Sequence, residues 1–210
     1  MTEGTKLAEL LNLWESRLRE LGAPCVEHLR PGLHRAAVDA IAAAAGVHLA
    51  DDAAAVWMWH DGDRARYEDD WGRPSLTPSG LFLGLHAALE RSAWLRSITD
   101  SVRPAGADLQ AGPYEDEGTA DELFFRRTFV ILDDDEDPVY LDCARADAPT
   151  PTGIFMSHDT YRTPRVSLSD RIRYRIDALD RGLWRVGPRG DWVIEEANAP
   201  SVERWWDLYA

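Results

Sequence analysis

The chain has 210 residues, 45% of them hydrophobic and 29% charged, and a formal net charge of −14. That length suits one domain with a sizeable core, and the negative charge repels phosphate backbones, which speaks against direct nucleic-acid binding. No apolar run reaches the roughly 20 residues that span a bilayer, and MTEGTKLAELLNLWE at the start lacks the basic region and apolar core of a secretory signal.

In chain order, Leu7, Leu10, Leu11, Trp14, Leu18 and Leu21 recur at helical spacing, and Gly22-Ala23-Pro24 ends this first helix. Cys25 to Leu29 reads as a short extended link. A helical hairpin is predicted over residues 33–62. Val38, Ile41, Ala42 and Ala45 share one helical face, and Gly46 sits where a helix stops in a left-handed turn. After Val47 and Leu49, Asp51 and Asp52 are expected to accept hydrogen bonds from the free amides of a second helix start. This helix carries Val56, Trp57 and Trp59 and is expected to end at Asp61-Gly62.

Residues 63–79 are polar, hold Trp71, Pro74 and Pro78, and read as a loop; a binding loop and a tolerated insertion are both open. Gly80 to Leu85 is a short apolar run bounded by glycine, predicted as a buried strand, and a helix follows over His86 to Ile98. Residues 103–120 read as an irregular excursion. Phe124 to Leu132 and Pro138 to Cys143 are two β-rich runs, with Asp133 to Asp137 between them as a hairpin loop. Gly153 to Met156 is a further strand. Ser167 and Asp170 mark a helix start, Leu168, Ile172, Ile176 and Leu179 form its apolar face, and Gly182 ends it. Residues 184–194 are expected to add a strand, and Ser201 to cap a last short helix. Trp14, Trp57, Trp94 and Trp184 lie in amphipathic patterns and are predicted core; Trp205 and Trp206 either cover the sheet as a folded-back tail or anchor a partner.

The amphipathic helix, Gly46-Val47-His48-Leu49, the acidic helix start, the aromatic helix and His60-Asp61-Gly62 together resemble the opening of the SUKH superfamily. That superfamily includes fungal cell-wall assembly regulators and many bacterial toxin-immunity proteins. The resemblance continues through Tyr140-Leu141-Asp142, Gly153-Ile154-Phe155 and Ser167-Leu168, covering about residues 33–183. Ala50 stands where the family usually has proline, and Phe125-Arg126-Arg127 where it often has Trp-x-Pro. The resemblance implies an α+β fold with helices packed on one side of a mostly antiparallel sheet. It implies one domain over 1–210, the first helix and the carboxy-terminal extension packed on its core. It also implies a non-enzymatic binding protein. In the bacterial branch, which the arginine-rich, lysine-poor composition favours, that role is immunity: binding and occluding a toxin made by the same cell.

Few residue groups suggest chemistry. Asp133, Asp135 and Asp137 alternate as in a calcium loop, but Pro138 stands where that loop needs glycine and Ala144 where it needs glutamate, so the run reads as a solvated hairpin tip. The six histidines show no zinc spacing, and no Cys-x-x-Cys, nucleophile elbow, Walker loop or dinucleotide fingerprint occurs. No metal or cofactor is expected. His60 in the His-Asp-Gly phrase is read as a helix-end histidine packed on the loop; as a positioned imidazole it, or the acid clusters, would support a hydrolase instead. Cys25 and Cys143 suit a reducing cytoplasm.

The strongest functional signal is the placement of charge. Residues 114–142 hold eleven acids against Arg126 and Arg127, so they carry −9 of the total −14. The predicted partner surface comprises Glu115, Asp116, Glu117, Asp133, Asp134, Asp135, Glu136 and Asp137, with Trp71, Tyr114 and Phe124 as aromatic anchors, facing a basic protein such as a nuclease-like toxin domain. A cytoplasmic scaffold on the same fold is the alternative.

Overall fold

A computed structural model describes residues 1–64, 75–78, 80–102, 129–134, 138–143, 148–156, 161–162 and 166–198. The first helix, α1 (Glu3–Glu20), begins where Thr2 Oγ1 accepts the Thr5 N–H at 3.2 Å, with Glu3 at its positive end and Arg17 and Arg19 in its last turn. Leu7, Leu11, Trp14 and Leu18 form its buried stripe. Leu21 lies just past the last turn and is exposed, unlike the rest of the predicted face. The stretch expected to be an extended link is a 3-10 turn, Pro24–His28, where Pro24 at the first helical position presets the backbone. Strand β1 (Leu29–Pro31) follows it.

Helix α2 (Arg35–Ala44) buries Val38 and Ala42 and stops at Gly46, whose φ is +70°. Helix α3 (Asp51–Trp59) is buried almost all round: Asp52, Ala53, Ala54, Ala55, Val56 and Trp57 are inaccessible. Only Asp51 and Met58 of this helix are exposed; so apolar a helix belongs inside, and α1 packs along it. At their crossing a Cβ on Gly4 would fall 2.8 Å from the Asp51 carbonyl oxygen, so glycine lets the two backbones meet. α3 ends at Trp59, two residues earlier than its sequence pattern suggests. His60–Asp63 is strand β2, paired antiparallel with β1.

Strand β3 (Leu81–Phe82) and helix α4 (Leu85–Val102) come next, then β4 (Phe129–Asp134), β5 (Val139–Asp142), β6 (Pro151–Met156), β7 (Tyr161–Arg162) and β8 (Val166–Ser167). These six strands form one sheet in the order β3-β4-β5-β6-β7, with β8 also paired to β6, and every pairing is antiparallel. Asp133 and Asp134 are not in the hairpin loop, as the acid run suggested. They extend β4, because Leu81 pairs with Asp134 and Phe82 with Asp133. Helix α5 (Leu168–Asp180) starts at Ser167, whose Oγ accepts the Asp170 N–H at 3.1 Å, and stops before Gly182 at φ +67°. A small hairpin, β9 (Trp184–Val186) with β10 (Trp192–Ile194), replaces the single strand expected there.

The fold is therefore α+β. Leu7, Trp14, Val38, Trp57, Leu141, Ile172 and Trp184 share one apolar cluster. Trp94 does not join it. The buried stripe of α4 runs Leu85, Ala88, Leu89, Ser92, which turns Trp94 outward; it is 48% exposed, with the Arg91 guanidinium 4.1 Å above its ring. No helix of the described residues is long and apolar enough to cross a membrane.

Candidate functional site

Of the predicted partner residues, Trp71, Tyr114, Glu115, Asp116, Glu117, Phe124, Asp135, Glu136 and Asp137 lie outside the described residues, and so do Trp205, Trp206 and the Ser201 helix. Asp133 and Asp134 are placed at the end of β4, beside the edge strand β3. Asp142, one of the eleven acids, is buried on β5 and adds nothing to an external patch.

The His-Asp-Gly phrase is where the described residues concentrate polar contacts. Alternation along β2 sends His60 to one side and Asp61 to the other. His60 Nδ1 lies 2.8 Å from the Arg30 carbonyl oxygen of β1, and its Nε2 lies 3.2 Å from Glu15 Oε2 of α1. Trp59 Nε1 donates to the same Glu15 oxygen at 3.0 Å, while Arg19 donates to Glu15 Oε1. Trp59 stacks on Trp14 at 5.8 Å and meets the His60 ring edge-on at 4.4 Å. Asp61 Oδ1 accepts the Leu85 N–H at 2.9 Å and so caps α4 from a distant strand. Asp63 Oδ2 accepts the Phe82 N–H at 3.2 Å. Gly62, at φ +78°, lets β2 lie directly against the Leu83–Gly84 backbone. Four consecutive residues thus fasten α1, β1, β3 and α4 together.

Chemically, this arrangement occupies His60 instead of presenting it. A general base needs a ring nitrogen aimed at substrate. Here one faces a carbonyl and the other a carboxylate. A groove of about 590 Å³ runs between α1 and α3 along Thr5, Ala8, Asn12, Ala55, Met58 and Trp59, and His60 is not in its lining. A second cavity, under Trp59 and Phe82, is about 10 Å³, no larger than one water. Among the described residues no three His, Cys, Asp or Glu side chains are placed to hold a metal ion. Burial pushes the Cys25 thiol up to about 12, with the Asp63 charge adding to it, and burial with Asp142 and Asp52 does the same to Cys143, so neither is a ready nucleophile.

Glu15 is held below the ordinary carboxyl value of 4.5. Burial alone would raise it; the hydrogen bonds from Arg19, His60 and Trp59 and the His60 charge outweigh that. A carboxyl lowered in the folded state adds stability that is present above its unfolded value and lost as pH falls through its folded value. Acid unfolding of Glu15→Gln is therefore expected to be shallower than wild type below pH 4.5. Chemical denaturation at several pH values reads this, and identical acid slopes would show that Glu15 is unlinked.

A second polar centre was not legible as a site. Asp52 is completely buried in the first turn of α3; the N-cap position is Ala50, but Asp52 takes one of the free amides of the helix start, as expected, while Asp51 pairs with Arg35. Asp52 Oδ2 accepts the Thr150 N–H at 2.6 Å, and its Oδ1 accepts the Thr150 hydroxyl at 2.7 Å and the Ala53 N–H at 2.9 Å. The Thr150 carbonyl in turn accepts the Leu168 N–H at 2.8 Å, and the buried Arg171 Nε donates to Thr152 Oγ1 at 2.8 Å. The available signal was spacing: Asp52 shares a helical face with Val56 and Trp59, so it sits on the apolar stripe and not on the wet one.

No protein-family model and no curated protein matches the chain.

Proposed function

We propose that this chain is a non-enzymatic protein-binding module that occludes a basic protein partner. In the role its SUKH resemblance implies, it is a bacterial immunity protein residing in the cytoplasm and blocking a cognate, nuclease-like toxin domain. The observation that carries the proposal is the segregation of charge, with −9 of −14 confined to residues 114–142. Even without the buried Asp142, that density repels itself at a cost to the fold, and solubility alone does not call for such clustering. What supports binding over hydrolysis is that both His60 nitrogens face acceptors of the fold.

The mechanism is steric and electrostatic. Acids stand where the partner would hold phosphates, the charge speeds encounter, and buried aromatics supply the affinity. Affinity capture from the native host with mass spectrometry is expected to retain a basic protein encoded beside this gene. Retention of only neutral or acidic proteins would sink the proposal. With the partner in hand, the Asp133→Asn, Asp135→Asn, Asp137→Asn triple variant is expected to associate roughly tenfold more slowly at low salt and with a flatter salt dependence, while melting as wild type does. An unchanged association rate places the interface elsewhere.

A further inference from the structure

Loss of one proton turns a histidine ring nitrogen from donor into acceptor. At His60 both nitrogens face acceptors, the Arg30 carbonyl at 2.8 Å and Glu15 Oε2 at 3.2 Å. A carbonyl only accepts, and so does an ionised carboxylate. Both contacts are hydrogen bonds only when the ring carries two protons. We propose that His60 is a pH-dependent fastener between α1 and β1: protonated, it ties Glu15 to the Arg30 carbonyl, and losing its Nδ1 proton sets a lone pair against that carbonyl and loosens β1.

The surroundings make the ring the variable part. From α1, Glu15 faces it, and Arg19 holds the other Glu15 oxygen. From β1, only the Arg30 carbonyl reaches it; a Cβ at Gly84 would run into the Arg30 guanidinium and approach Asp61 Oδ1 to 3.1 Å, which puts both of those charges at Gly84. From α3, the Trp59 indole shares Glu15 Oε2 with the ring. The ionised carboxylate of Glu15 is the stronger acceptor and keeps its proton, so the contact to the Arg30 carbonyl of β1 is the one given up. The apolar stripe of α1 stays packed, and the change is a local opening around Arg30 and His60, not unfolding.

Hydrogen exchange of the full-length protein between about pH 5.5 and 8.5, corrected for the intrinsic rate, tests this. Protection of residues 29–30 and 60–63 is expected to fall with rising pH roughly two- to tenfold more in wild type than in His60→Gln or Glu15→Gln. Contributions common to the three proteins cancel. Parallel profiles would overturn the proposal. Should the variants fail to fold, the wild type decides alone: the Trp59 indole N–H resonance is expected to shift with the midpoint of the His60 ring titration, and an indole signal indifferent to that midpoint overturns it.

Discussion

Asp52→Ala is expected to lower the unfolding free energy by about 3–5 kcal/mol. The carboxylate is fully buried and accepts three hydrogen bonds, two of them from Thr150, 98 residues away in sequence. Truncation leaves the Thr150 N–H and hydroxyl without that acceptor in a buried site, and an unmade buried bond costs more than a made one contributes. The start of α3 also loses its tie to the start of β6, and through the Thr150 carbonyl to the first residue of α5. Thr150→Val removes the hydroxyl but keeps the N–H bond, and is expected to cost about 1–2 kcal/mol. Urea unfolding monitored by tryptophan fluorescence reads both. A loss below about 1 kcal/mol in Asp52→Ala would mean that solvent replaces the carboxylate, and the strut would be no strut.

Gly62→Ala is expected to cost about 3 kcal/mol or more, or to abolish folding. Two effects combine. The residue sits at φ +78°, where a side chain is strained. A Cβ there would also overlap the Gly84 nitrogen and lie 2.7 Å from Gly84 Cα, and backbone cannot step aside as a flexible side chain does. Gly22 and Gly46 separate the two effects. Both have φ +70° and nothing within 4 Å of an added Cβ, so alanine at either is expected to cost only about 1 kcal/mol, the strain alone. Thermal melts of the three variants would show the difference. Equal losses at all three positions would mean that β2 does not press on Leu83–Gly84 as the structure has it.

The elements whose cause lies within a few residues were readable from the chain itself. The α1 stripe, the stops at Gly22, Gly46 and Gly182, the Ser167 cap and the β4–β5 hairpin each follow from i, i+3, i+4 or alternating spacing and from glycine's tolerance of positive φ. So did the separation of acidic charge, which is a property of composition. The elements that differ from the reading are those whose partners are remote. α3 stops at Trp59 because β1 supplies a strand for His60–Asp63 to pair with. Asp133 and Asp134 are strand because β3 lies beside them. Trp94 is outside because the core took Ser92 instead. The His-Asp-Gly phrase was visible as a motif, but its job was not, since Glu15, Arg30 and Leu85 come from three other elements. Asp51 and Asp52 look alike in sequence: two carboxylates at a helix start. A difference of about 100° around the helix axis puts one in solvent, paired with Arg35, and the other in the core, on Thr150. Local pattern sets which face a side chain takes; only the packed chain decides what waits on that face, because the cost of burying a charge depends on the partner that meets it there.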